Sequence, residues 1–268
     1  MTQPRESALT EPAEHAFAAR EAPEADASST RDSLFGGRVV FRQPKHGYRV
    51  NIDSVLLAQF AANGRSARCA VDLGAGVGVV GLLLWHLGAA ARVVLVEKSS
   101  ELVQLAEQNT RDAGAPIRAV RADVEERASL IELERSADLV VCNPPFYNLQ
   151  RHQAAPDPGR AAARAGNVEP FVRAASELVN GDRARAVFAY PAAEVAELLQ
   201  ALSAQRFVAK RMRFVHPFAE RPARLVLIEA RRSRPGGLRV DPPLIEWLAA
   251  GQPSLELVSL TSPTDDRT

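Results

Sequence analysis

Cysteine is scarce in this chain: only Cys69 and Cys142 occur among 268 residues. Both sit inside apolar, strand-like runs, which fits buried free thiols in a reducing compartment. No spacing among these two and the five histidines marks a metal site, and none is expected. No basic start leads into an apolar signal-like segment, and no charge-free apolar run approaches the roughly 18 residues of a membrane span. A soluble, cytoplasmic protein without membrane partners is therefore expected. Lysine is rare as well, confined to Lys45, Lys98 and Lys210, so the basic charge is almost all arginine.

What the chain has is apolar content, at 46% enough for a substantial core. Its length suits one large α/β domain or a domain with a tail. The formal charge of +1 conceals an asymmetry. Residues 1–34 hold three arginines against seven carboxylates in an Ala-, Glu-, Pro- and Ser-rich stretch with no apolar stripe, so a disordered acidic leader is expected there. Residues 206–239 hold ten Lys and Arg against Glu220 and Glu229. Such a cluster is either a solvated strand edge or the footprint of a nucleic-acid phosphate backbone.

Strands are expected near 38–43, 69–73, 92–97, 117–122, 137–142 and 184–190, with two more near 207–215 and 223–231. Helices are expected near 53–62, capped by Asp53, and near 78–88, 99–113, 124–134, 168–179 and 191–204. Alternating β and α with continuously apolar strands predicts a doubly wound, Rossmann-like α/β fold. The sheet should be mostly parallel and seven-stranded, with helices on both faces. The last two strands lack a long intervening helix and predict an antiparallel edge hairpin. The domain is bounded at 35–245, leaving 246–268 as a partly disordered C-terminal extension.

Val71-Asp72-Leu73-Gly74-Ala75-Gly76-Val77-Gly78 reads as a strand, a glycine-rich turn and the start of a helix. Glycines allow positive φ and close ligand approach, and the helix start offers free N–H groups. A dinucleotide fingerprint needs a third glycine three places after the second, and Val79 stands there instead. Alternate glycines preceded by an acid suit S-adenosylmethionine (SAM), which carries a sulfonium and an ammonium group but no phosphate. A ligand-free βα turn is the plain alternative. Glu97 ends the next strand, placed to accept from ribose hydroxyls, and Asp123 ends the following one, placed to receive an adenine amino group. Capping of the next helix is the plain alternative for either acid. Ligands of open α/β sheets bind at such strand ends.

The strand Asp138–Cys142 empties into Asn143-Pro144-Pro145-Phe146-Tyr147. Two prolines stiffen this loop and aim its acceptors, the Asn143 side-chain oxygen and the Pro144 carbonyl. Such a pair can hold the two hydrogens of a planar amine and turn its lone pair towards an incoming methyl group. Phe146 offers a face on which a base can stack. The plain alternative is a rigid turn with one buried aromatic.

In motif, order and spacing, residues 36–245 resemble class I SAM-dependent methyltransferases. They resemble in particular the bacterial adenine-N6 methyltransferases that modify the adenosine beside the anticodon of a valine tRNA. The specific part is Gln43-Pro44-Lys45-His46-Gly47-Tyr48-Arg49 with Asp53-Ser54-Val55-Leu56-Leu57-Ala58, joined by Val215-His216-Pro217. The resemblance implies SAM as cofactor, RNA as partner, and Tyr48, Arg49 and Asp53 near the methionine end of the cofactor, together with the Asp72, Gly74, Gly76, Gly78, Glu97, Asp123 and Asn143 set. It implies Asn143, Pro144, Pro145, Phe146 and Tyr147 as the catalytic loop, and Arg164 as a phosphate contact. Arg211 and Arg213, from the basic cluster, join Phe146 and Arg164 as candidate substrate contacts. The acidic leader and the arginine bias depart from the family pattern.

Other readings stay open. The same loop type serves enzymes that methylate glutamine in release factors or the amino group of guanine in ribosomal RNA. A SAM-binding module without catalysis is a further class, against which the intact Asn143 and Phe146 weigh. A nicotinamide oxidoreductase lacks support, with neither the third glycine nor a Tyr-x-x-x-Lys pair.

Overall fold

A computed structural model of the chain describes residues 28–46, 49–144, 168–232 and 236–262. Strands β3 (Ala70–Leu73) and β6 (Leu139–Cys142) are buried along their whole length. That is what continuous apolar runs produce when helices cover both faces of a parallel sheet. They lie side by side at its centre, flanked by β4 (Val93–Glu97) and β5 (Ile117–Arg121) on one side and β7 (Arg185–Pro191) on the other, all parallel. Beyond β7, β9 (Leu225–Arg232) runs antiparallel both to β7 and to β8 (Phe207–His216). Two short strands, β10 (Arg239–Val240) and β11 (Leu244–Ile245), then pair in parallel with β8. The order is β10-β8-β9-β7-β6-β3-β4-β5, nine strands with β11. The expected seven are β3 to β9; the expected edge hairpin is covered by two extra strands.

Successive residues of β6 feed opposite cores, Leu139 and Val141 one side, Val140 and Cys142 the other. The first core takes α1 (Ile52–Ala62) and α2 (Val79–His86); the second takes α4 (Glu169–Leu178) and α5 (Val195–Ala204). Between them in sequence, α3 (Ser100–Asp112) starts at Ser99, whose side chain accepts from the Leu102 N–H. Cys69 and Cys142 are free and buried. Among the described residues no helix is long and apolar enough to cross a membrane.

Three local expectations are corrected. The leader was expected to be disordered through residue 34, yet Ser29–Leu34 form β1, paired antiparallel with β2 (Val39–Pro44). Its polar residues are satisfied at long range: Asp32 accepts from Gln43 and Arg49. Asn51, not Asp53, caps α1, accepting from the Asp53 N–H at 3.1 Å. The helix expected near 124–134 is a 3-10 segment, Arg127–Leu133. Within the C-terminal extension, the described residues 246–262 hold a small hairpin (Trp247–Ala249 with Gln252–Pro253) and α6 (Leu255–Thr261).

Candidate active site

Neighbouring strands β6, β3, β4 and β5 end on one edge of the sheet and deliver Asn143, the glycine turn, Glu97 and Asp123 in that spatial order. Gly74, Gly76 and Gly78 all have positive φ, at 69°, 56° and 87°. The first two serve the turn. At Gly78 a Cβ would also lie 2.6 Å from the Leu95 side chain, so this glycine lets α2 seat on β4. At Gly76 a Cβ would meet no protein atom within 4 Å, so its outer face is open.

Glu97 is tied to this turn. Its two oxygens accept from the backbone N–H groups of Gly76, at 3.0 Å, and Ser99, at 2.9 Å. The carboxylate thus locks the loop and keeps further lone pairs for a ligand. Asp72, on β3, is buried and accepts from the Gly81 N–H of α2 at 3.2 Å. Burial pushes its pKa up to about 7; the Gly81 bond opposes this and the charge of Glu97 adds to it. An ionised carboxylate in such a place gains from a cation beside it, the complement of an ammonium or sulfonium group.

The stability consequence has a definite sign. An aspartate whose folded pKa exceeds its unfolded value holds a proton that the unfolded chain gives up, so its contribution is complete below the unfolded pKa and is lost as pH rises through 7. Without ligand, Asp72→Asn should gain on wild type between about pH 5 and pH 8, by on the order of 2–3 kcal/mol. Urea unfolding at the two pH values measures this; a difference that does not change with pH contradicts it.

Asn143 follows β6 directly. Its Oδ1 is buried and, among the described residues, has no hydrogen-bond partner. An orphaned buried acceptor is costly, on the order of 1–3 kcal/mol, and calls for a donor. Pro144 is buried beside it. Pro145, Phe146, Tyr147, Arg164 and Tyr48 lie outside the described residues.

The remaining expected site residues have other partners. Asp123 accepts from the Glu125 N–H at 2.9 Å, an Asx turn at the end of β5. Arg49 donates to Asp32, Thr30 and the Pro44 carbonyl, pinning its segment to the β1–β2 hairpin. Asp53 pairs with Arg224 at 2.6 Å. Arg211 donates to Asp241 and lies over the Phe60 ring, 4.1 Å from its centroid. Arg213 donates to Glu256 at 2.6 Å and to the Pro242 carbonyl at 3.0 Å. Phosphate contacts by Arg211 or Arg213 must compete with these carboxylates. Their strand, β8, is three strands from β6, about 14 Å at ordinary strand spacing.

Two contributors escaped sequence reading. Asn109, 1% exposed within α3, bonds both backbone groups of Arg42 and the Val77 carbonyl, tying the glycine turn to β2. A polar residue on the buried face of an otherwise amphipathic helix was the available signal. Arg224, at the start of β9, joins Asp53 of α1 to Glu246 of the C-terminal extension. Burial alone would lower its pKa, but these two carboxylates outweigh it and raise the value.

Residues 49–163 match the family model of the methyltransferase small domain. The match spans 115 of the 268 residues, and over them the chain is similar to that family. Over 108 residues it is 31% identical to a tRNA1(Val) (adenine(37)-N6)-methyltransferase from Flavobacterium psychrophilum, covering 40% of this chain and 45% of that one. Over 76 residues it is 38% identical to a release factor glutamine methyltransferase from Mycobacterium leprae, covering 28% and 26%. The chain thus spans less than half the length of these two relatives. The crystal structure of a predicted O-methyltransferase from Agrobacterium tumefaciens superposes with a TM-score of 0.62 at 26% identity, covering 78% of this chain and 94% of that one. The glycine turn, Glu97 and Asn143 all fall within the matched residues 49–163.

Proposed function

We propose that the protein transfers a methyl group from SAM to the exocyclic N6 amino group of an adenine in RNA, with tRNA as the substrate class. The observation that carries this reading is the buried Asn143 Oδ1 at the end of β6, which has no hydrogen-bond partner among the described residues. SAM supplies an electrophilic methyl group on a positively charged sulfur. The fit to the chain rests on Asp72 and Glu97, two carboxylates at the glycine turn, and on the open face of Gly76. Asp123, Arg49, Asp53 and Tyr48 complete the proposed cofactor surroundings.

The acceptor nitrogen of adenine shares its lone pair with the ring and is a weak nucleophile. Asn143 Oδ1 and the Pro144 carbonyl accept its two hydrogens, drawing the nitrogen towards a pyramidal geometry with the lone pair aimed at the methyl carbon. Fixed acceptors of this kind act without reorganising as charge develops. Pro145 and Tyr147 shape the loop, and Phe146 provides the stacking face. Phe rather than Tyr at 146 favours a nucleobase over a glutamine side chain, and the tRNA-modifying relative supports the same choice.

The test is direct. The protein is incubated with methyl-labelled SAM and separate pools of tRNA, rRNA, DNA and protein, and the labelled product is hydrolysed and identified. N6-methyladenosine from tRNA is expected. Label in N5-methylglutamine or in N2-methylguanosine overturns the assignment.

A further inference from the structure

Away from the catalytic edge, two grooves of about 490 and 650 Å³ share Arg231 in their lining. They lie where β3, β6 and β7 begin and β9 ends, the opposite edge of the sheet from Asn143. With β7 seven residues long, the two edges are about 20 Å apart. Together the grooves are lined by eight different Arg and Lys residues and three carboxylates. The charge is drawn from distant parts of the sequence: Arg65 and Arg68 before β3, Arg183 before β7, Lys210 on β8, Arg231 on β9 and Arg239 on β10.

Several of these cations are partly neutralised. Arg68 meets Asp138 at 3.3 Å, Arg231 meets Glu229 at 3.0 Å, and Arg239 meets Asp241 at 2.9 Å. Yet Arg68 remains 86% exposed and Arg239 69% exposed, so both can turn to a second anion. Arg65 and Arg183 are exposed and, among the described residues, pair with no carboxylate. No apolar side chain larger than alanine lines either groove. A protein partner would want an apolar or aromatic anchor at its centre. A polyanion wants what is present, exposed guanidinium forks that match phosphate oxygens.

We infer that this arginine-lined groove holds the phosphate backbone of the RNA at a distance from the target base, as a second contact on the edge of the sheet opposite the catalytic loop. The inference rests on the RNA acceptor proposed above. Two contacts on opposite edges favour a large folded RNA over a short hairpin that reaches only the catalytic edge.

The test compares wild type with Arg65→Glu/Arg183→Glu and with Arg65→Lys/Arg183→Lys, using labelled total tRNA and a short synthetic stem-loop. In the Glu variant, tRNA affinity should fall at least tenfold. The slope of log affinity against log salt should shrink by about 2, one for each phosphate that the two arginines no longer neutralise. SAM affinity and single-turnover transfer to the stem-loop should be unchanged, and the Lys variant should keep the wild-type salt slope. Unchanged tRNA affinity and slope in the Glu variant overturn the groove assignment while leaving methyl transfer to RNA intact. If wild type binds no tRNA, the RNA reading itself fails, and the groove inference with it. Binding of an acidic polypeptide such as polyaspartate in preference to tRNA overturns the choice of occupant.

Discussion

Gly76→Val should fold and lose SAM binding by at least a hundredfold. Gly76 has a φ of 56°, where a β-branched residue is strained by roughly 1–2 kcal/mol. Strain alone does not remove a ligand site. Space decides: a Cβ here meets no protein atom within 4 Å, so the new methyl groups enter the volume beside the glycine turn that the proposed ligand uses. Gly78 would be a poor choice, because its Cβ would strike Leu95 at 2.6 Å and disturb α2 itself. Gly114 is the matching control, with φ of 60° and equally open surroundings, but at the end of α3. Gly114→Val carries the same backbone strain and should bind SAM normally. Calorimetry on both proteins, after unfolding curves establish that each is folded, separates strain from occlusion. Wild-type affinity in a folded Gly76→Val protein removes the glycine turn from the cofactor site.

The sheet, and the edge where the glycine turn and Asn143 lie, were readable because they depend on local pattern. Continuous apolar runs such as Leu139–Cys142 arise wherever both faces of a strand are covered, and positive φ at Gly74, Gly76 and Gly78 leaves glycines at fixed places. Polar cross-links carry no such period. Arg224 and Asp53 are 171 residues apart, and their pairing follows only from β9 starting beside the N-terminus of α1. Strand β1, Ser-Thr-Arg-Asp-Ser-Leu, looks like part of the polar leader until Asp32 finds Gln43 and Arg49. Near α1, Asn51 and Asp53 are both good caps by type, and backbone geometry chooses Asn51. Likewise, clustered charge between 206 and 239 located a basic region without assigning its partners. Arg211 and Arg213 are held by the C-terminal segment, whereas Arg65 and Arg183, outside that cluster, are exposed and pair with no carboxylate among the described residues.

Asn143→Ala is expected to bind SAM as wild type does and to lose a factor on the order of 10²–10³ in methyl transfer, the usual loss when one preorganised polar group facing a developing charge is removed. Two features make this separation measurable. The Oδ1 is buried without a partner among the described residues, so truncation breaks no hydrogen bond described within the folded chain and should not destabilise it on that account. Its position after β6, on the side of β3 away from β4, sets it apart from Glu97 and the turn it locks. Phe146→Ala should act differently, weakening RNA binding through loss of a stack worth about 1–3 kcal/mol while sparing the chemical step. Single-turnover rates at saturating SAM and RNA distinguish the two, since a residue that acts only as charge develops lowers the rate of transfer and a stacking residue raises the RNA concentration needed. Turnover of Asn143→Ala at the wild-type rate would make the loop a scaffold and leave the buried Oδ1 without a chemical role.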